Sequence, residues 1–577
     1  MIKISTFILA SAFVCINATL VIAQTASASP SASAASKVID QYFDLYFQFH
    51  PSAATAAGFH QYDNQLEDYS HASSAREAQS LRDFAPKLAR ALTQKPSQPD
   101  AADIEYLQSC IKSRLLEIET IRSWQSDPDT YASGPAYSLF LLMKRNYAPP
   151  EERLRSVIAR EKQIPAAIQA GRTNLKNPPR IFTEIALEQL PGTITFIQND
   201  VPAAFSSVKD PQLLAEFRES TKQVIAALQA YETFLKKDLL PVSKGDFRLG
   251  ADTFRKKLLY EEMVDIPLVR LREIGYADLH RNQERLKKTA AEIDAKKSTL
   301  EVLAEVRKDH PPSGQLLQSF RDTLAGLRQF IEQRHIVTIP SKLEPVVEET
   351  PPFARALTTA AMETPGAFET KAPGGIFQVT LPDPSWKADQ INQYMEGFDR
   401  PSLISTSIHE VYPGHYEQYL WTLKLNSKVR QLLYCGTNSE GWAHYTEQMM
   451  LDEGYSTDPK IRLGQLIDAL LRDSRFIVGL EMHTGKMSLD QAKIFFVEQG
   501  FQVPPIAEVE ARRGTSDPTY LVYTLGKLQI LKLREDYRKQ QGDKFTLQDF
   551  HDRFLEHGGL PVKLIRQSML KNPGQTL

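Results

Sequence analysis

Two histidines with a carboxylate directly after the first, His409-Glu410-Val411-Tyr412-Pro413-Gly414-His415, are the residues of this chain best suited to chemistry. About 25 residues on comes a second polar cluster, Ser439-Glu440-Gly441-Trp442-Ala443-His444-Tyr445-Thr446-Glu447. Three of the chain's 12 histidines fall in this window of about 36 residues, where chance would put fewer than one. Imidazole nitrogens and carboxylate oxygens are common ligands of zinc. A hydrolytic zinc takes three protein ligands and keeps a fourth position for water. His409, His415 and Glu440 supply such a set, with Glu410 left over as general base.

The spacing carries a condition. In the pattern H-E-x-x-H, residues i and i+4 share one face of a helix, so both rings reach one metal. Here the second histidine is at i+6, about 240° round a regular helix and away from the first. The two rings meet only if the helix is interrupted between them. Pro413 and Gly414 stand at that point: proline removes an intrahelical hydrogen bond and glycine accepts unusual dihedrals. The expectation is a break in the helix at Pro413-Gly414.

In the second cluster Glu440, His444 and Glu447 are spaced by four and three and share a helix face. Glu447 suits a carboxylate that orients a ligand histidine. His444 has three open roles: a fourth ligand, a partner behind the ligands, or a substrate contact. Downstream, Asp517 reads as a helix N-cap with Pro518 at the first helical position, opening a helix that runs through Gly526-Lys527 towards Arg534. Tyr520 and Tyr523 lie one turn apart near that start, either as phenol donors to a tetrahedral intermediate or as core residues. Arg512, Arg513 and Lys527 are candidates to hold a substrate carboxylate.

The scaffold that must position these residues reads as mostly helical. Residues 1–23 have a basic start, an apolar core and small residues at the cut site, a secretory signal peptide. A flexible Ser/Ala-rich lead-in follows at 24–36. No later run of about 18 apolar residues exists, so the mature chain is not expected to enter a membrane, and a periplasmic location follows. A net charge of −2 gives no basic field for nucleic acid. Loss of the signal removes Cys15 and leaves Cys110 and Cys435, as a pair or as isolated thiols, and neither makes a cysteine zinc site. Residues 37–345 form a helical half, with a clear 3.6-residue period at 213–235 and Pro191, Pro202, Pro211 and Pro241 between segments. The charged stretch 281–297 reads as a solvated face, and His50, His60 and His71 as structural. A Pro/Glu-rich loop region at 342–365 leads into a site-bearing half, 346–577. There residues 373–382 give the clearest strand signal, either a peptide-binding edge or a structural hairpin.

His-Glu-Val-Tyr-Pro-Gly-His at 409–415, Ser-Glu-Gly-Trp-Ala-His-Tyr-Thr-Glu at 439–447 and Tyr-x-x-Tyr-x-x-Gly-Lys at 520–527 together resemble the bacterial domain of unknown function 885 family. Phe49-His50-Pro51-Ser52 through Gly58, and Phe550-His551 to Gly558-Gly559-Leu560-Pro561, look like that family's ends, so the resemblance spans essentially the whole mature chain. The family is similar in turn to gluzincin zinc peptidases such as Taq-type carboxypeptidases and angiotensin-converting enzyme. Gly414-His415-Tyr416-Glu417-Gln418 echoes the Taq-type pattern, apart from a two-residue lengthening at Pro-Gly. The resemblance implies a large helical fold of two halves around a deep cleft, with a short β-sheet beside the active-site helix. It implies Glu440 as third ligand from a second helix, a strand at 374–381 bordering the cleft, and Tyr520 or, by preference, Tyr523 as oxyanion donor.

The combined expectation is an exported zinc metallohydrolase, most simply a carboxypeptidase or dipeptidase acting on short peptides. One alternative is a zinc hydrolase of another amide, an ester or a cell-wall linkage. The other is a non-catalytic helical binding protein whose structural metal is completed by His444. Glu410 favours the hydrolases, because a structural metal needs no general base.

Overall fold

The computed structural model describes residues 33–350, 359–372 and 374–577. The signal segment 1–23 with Cys15, and the lead-in up to residue 32, lie outside them, as does Pro373 of the strand signal. The described backbone is mostly helical, with one small three-stranded sheet. The helix Pro211–Phe234 illustrates how the sequence builds it. Asp210 accepts hydrogen bonds from the N–H groups of Gln212 and Leu213, Pro211 sits in the first turn, and Leu213, Phe217, Val224, Leu228 and Tyr231 form its buried stripe. Pro191 departs from the expectation. It lies inside the helix Arg180–Thr195 instead of ending it, and its exposed position lets water take up the carbonyl that its missing N–H leaves free.

The sheet is ordered β1 (Val346–Glu349), β3 (Ile376–Val379), β2 (Ala360–Glu363), with β1 parallel and β2 antiparallel to the central strand. Two of its strands therefore come from the stretch read as loop at 342–365. Val346-Val347-Glu348-Glu349 and Ala360-Ala361-Met362-Glu363 have little alternation of their own. They pair because β3, with Phe377 and Val379 fully buried, offers two free edges.

Packing ignores chain order. One apolar cluster joins Val38, Phe43 and Leu107 from the early helices to Phe377, Leu420, Trp442 and Ile530. A second, from Leu66 to Leu239, holds the remaining early helices together. Cys110 and Cys435 are both free thiols. No helix among the described residues is long and apolar enough to cross a membrane.

Five helices carry the candidate site. The first histidine helix (Arg400–Glu410) starts at Asp399, whose carboxylate accepts the Ser402 N–H. The second histidine helix (His415–Thr422) follows after four residues. The glutamate helix (Gly436–Asp452), the arginine helix (Pro459–His483) and the tyrosine helix (Val522–Gln541) complete the group. The tyrosine helix starts later than the sequence suggests. Asp517 is the C-cap of the preceding helix Pro504–Ser516, where its carboxylate takes Arg513, and residues 518–521 form a turn. The Asp-Pro pair thus ends one helix before it could open the next.

Candidate metal centre

The first histidine helix stops at Glu410, and a new helix opens on His415. The Tyr412–Pro413 peptide is cis. Gly414 packs so tightly that a Cβ there would lie 1.8 Å from the His409 carbonyl oxygen. The buried Trp442 indole donates to the Pro413 carbonyl at 2.8 Å, tying this turn to the glutamate helix. The two rings consequently face each other, edge to face, with centroids 4.8 Å apart.

Glu440 reaches this pair from the glutamate helix. Its Oε2 lies 3.5 Å from Nε2 of His409 and 3.5 Å from Nε2 of His415. Ligand atoms held about 2.0–2.2 Å from a tetrahedral zinc stand about 3.3–3.5 Å apart, so these three atoms fit the corners of such a site. Glu410 is close enough to belong to the same group, since its carboxylate and the two imidazoles lie within 4.8 Å of one another. Its other engagement sets it apart: Oε2 accepts the Met362 N–H of β2 at 3.1 Å. Glu440 thus reaches both imidazoles from a second helix, whereas Glu410 is tied to the sheet.

Behind the ligands lies a buried polar chain. Glu447 accepts from Nδ1 of His409 at 2.6 Å, from Nδ1 of His444 at 3.1 Å and from Arg472 at 3.0 Å. The bond to Nδ1 leaves the His409 Nε2 lone pair free for a metal. Burial would discourage charge on His409, but hydrogen bonds to Glu440 and Glu447 outweigh it and push its pKa up to about 9. A metal must displace that proton, so binding weakens as pH falls. Burial would also raise Glu447, yet Arg472 and the two histidines hold it well below the usual carboxylate range. Glu447→Gln is expected to cost about 10–100-fold in metal affinity, read by competition with a chromophoric chelator.

His444 is fully buried behind Glu447, and burial followed by the charge of Lys527 brings its pKa down to about 3. Its Nδ1 engages Glu447, and its Nε2 has no hydrogen-bond partner among the described residues. The tyrosines separate as well. The Tyr523 ring stacks on that of His409 at 6.5 Å, with Arg475 5.0 Å over its face and the charge of Arg513 acting on its phenol. Burial and the Glu440 carboxylate raise its pKa, which keeps the hydroxyl protonated as a donor. Tyr520 packs in a core cluster with Val478 and Met482, against the backbone of Gly514.

Of the proposed carboxylate holders, Lys527 is only 1 % exposed and sits 2.9 Å from buried Asp278, and Arg512 binds Glu188. Arg513 alone faces the site, and it is shared with Asp517. Lys527→Met would leave buried Asp278 with the half-exposed Arg281 as its remaining ion-pair partner and is expected to lower stability by about 1–3 kcal/mol in urea unfolding.

Sequence reading missed Arg472, the Met362 N–H and Tyr434, whose hydroxyl donates to Glu440 Oε1 at 3.1 Å. None of them stands at a helical or strand interval from its partner. The site opens into two cavities. One, about 700 Å³, is lined by His415 and the β2 end from Met362 to Ala367. The other, about 530 Å³, is lined by Glu440 and Tyr523. A larger hollow of about 820 Å³ around Phe205 and Phe217 holds none of these groups.

A family described as bacterial protein of unknown function (DUF885) matches residues 51–569. A solved protein of unknown function from Shewanella oneidensis, named as a candidate lipoprotein, is similar with a TM-score of 0.80 and 26% identity, covering 94% of this chain and 100% of its own. A second candidate lipoprotein, from Colwellia psychrerythraea, has a TM-score of 0.78 at 18% identity, over 93% of this chain and 99% of its own. The latter likeness is one of fold alone. No curated protein matches the sequence.

Proposed function

Because the chain belongs to the DUF885 family, whose description leaves its activity open, we propose from the metal centre itself that it is an exported zinc-dependent hydrolase of amide bonds in short peptides. The observation that carries the proposal is the convergence of His409 Nε2, His415 Nε2 and Glu440 Oε2 at 3.5 Å contacts, with Glu410 beside them. The ligand types and the roughly 25-residue step to a glutamate on a second helix are those of gluzincin peptidases. Export is supported by the signal-like residues 1–23 and by the name of the Shewanella neighbour.

His409, His415 and Glu440 would hold the zinc, which when bound supplies Lewis acidity and lowers the pKa of water. Glu410, steadied by the Met362 N–H, takes the proton of the attacking water and passes it to the leaving amine. Tyr523 donates to the carbonyl oxygen as negative charge develops there, and Arg513 fixes the phenol. Glu447 and Arg472 hold the His409 ring in one tautomer. The main chain of β2, beside the larger cavity, suits an extended peptide.

Against a closed, structural metal stands Glu410, beside the two imidazoles and held by the Met362 N–H, because a structural metal needs no general base. A panel of short peptides, esters and acylated amines, run with and without chelator, tests the proposal. Chelator-sensitive peptide cleavage is expected, and cleavage of esters or acylated amines alone would replace the peptidase reading with another hydrolase. Tyr523→Phe keeps the ring against Arg475 and is expected to lower kcat about 10²–10³-fold with KM little changed. Unchanged kcat would remove the tyrosine from the mechanism.

A further inference from the structure

The 530 Å³ cavity has Glu440 and Tyr523 in its wall, so it opens directly on the reacting groups. Much of the remaining wall is aromatic: Tyr42, Tyr46, Phe49, Tyr106, Tyr260 and Tyr434. Its charges are unequal. Besides Glu440 it is lined by Glu77, Glu117, Glu261, Glu262 and Asp517, against Arg114 and Arg513. Arg114 is engaged by Glu77 through two bonds of 2.7 Å, and Arg513 by Asp517. Lys257, from outside the wall, pairs with Glu261.

Two carboxylates form no ion pair among the described residues; the charges of Arg114 and Lys257 reach Glu117, but the wall still has more carboxylates than cations. Glu117 accepts from the Ser123 hydroxyl and N–H. Glu262 accepts from the Cys435 thiol and from the N–H groups of Gly436 and Thr437. Tyrosine faces attract cations, and a partly dry cavity with an excess of carboxylates attracts cations and repels anions. Tyr434 lines this cavity and the larger one alike, which puts it at the division between the two sides of a bound substrate.

We infer that this cavity is a specificity pocket for a cationic group, an amine or a guanidinium, held next to the bond to be cleaved. The inference rests on the hydrolase reading of the metal centre and names its substrate class. These are peptides with an arginine or lysine side chain, or a free terminal amine, beside the scissile bond. Glu117 and Glu262 supply the attraction, and the tyrosines enclose the stem.

Zinc-loaded wild type, Glu117→Gln and Glu117→Lys would be assayed on peptides carrying arginine, lysine, norleucine or glutamate on either side of the scissile bond. Each peptide would be used with a free and an acetylated amino terminus. In wild type, kcat/KM for the cationic peptides is expected to exceed that for norleucine at least about tenfold, with glutamate lowest. If the side chain is the source, this advantage survives acetylation; if the terminal amine is, it appears instead as a preference of at least about tenfold for the free over the acetylated form of every peptide. Glu117→Gln should shrink the advantage to about twofold and leave the acetylated norleucine peptide unaffected, while Glu117→Lys should favour glutamate. Calorimetry with agmatine supplies a readout independent of turnover, and Glu117→Gln should weaken its binding. Peptides cleaved equally whether cationic or neutral, or no agmatine binding, would overturn the pocket and leave the hydrolase standing. Agmatine binding that depends on Glu117, with no peptide cleaved, would keep the pocket and remove the peptidase.

Discussion

Glu410→Gln is expected to bind zinc as wild type does and to lose turnover by about 10²–10⁴-fold, the usual contribution of a positioned general base. The substitution keeps an oxygen that can accept the Met362 N–H and leaves His409, His415 and Glu440 untouched. Folding and metal content should therefore stay at wild-type values, with only proton transfer removed. Single-turnover cleavage of a chelator-sensitive peptide, alongside metal analysis of the same sample, separates the two quantities. A fully active, metal-loaded Glu410→Gln protein would remove Glu410 from the chemistry and bring forward its other reading, a fourth group near the two imidazoles.

Glu440→Ala is expected to have the opposite profile: metal is lost first, and activity with it. Wild type should retain about one zinc per chain after dialysis. The variant should retain little, because removing a direct ligand exceeds the 10–100-fold penalty of disturbing a group behind one. The loss also frees the Tyr434 hydroxyl and leaves the two histidines facing each other with Glu410 as the carboxylate beside them. That facing pair is what excess zinc would still find, so activity should return partly at high metal concentration. Metal retained at the wild-type level would mean that the chain uses other ligands.

How far the site was legible in the sequence follows from how local its geometry is. His409, Glu410 and His415 stand within seven residues, and the Pro413-Gly414 break follows from one turn of helical arithmetic. The shared face of Glu440 and Glu447 follows from helical spacing once the glutamate helix is granted. Arg472 was invisible because its partner Glu447 lies 25 residues away on another helix, and arginines at that distance are everywhere. The N–H of Met362 belongs to β2, a strand with no period of its own, whose edge exists only after β3 has paired with it. Asp517 shows the converse. Asp-Pro is a sound opening signal, but the preceding helix ran on far enough to take Asp517 as its last cap. Lys527 looked like a free cation because its partner Asp278 is about 250 residues distant in the chain. The start of the glutamate helix was equally hidden. Cys435 gives it no side-chain cap, and the carboxylate that serves is Glu262, from far upstream.

The glutamate and tyrosine helices meet backbone to backbone. A Cβ on Gly441 would stand 2.5 Å from the Gly526 Cα, and one on Gly526 would stand 2.0 Å from the Thr437 carbonyl oxygen. Glu440 is the residue next to this crossing, and Tyr523 lies one turn before it. The span between Glu440, the proposed metal ligand, and Tyr523, the proposed oxyanion donor, is thus set at a fulcrum made of main chain, where nothing can be trimmed and no rotamer can compensate. A methyl group added at either glycine works as a wedge with two lever arms, shifting both groups at once. Variation elsewhere in the scaffold is buffered by side chains that repack, whereas at this crossing the alignment of the whole site hangs on the absence of two carbon atoms.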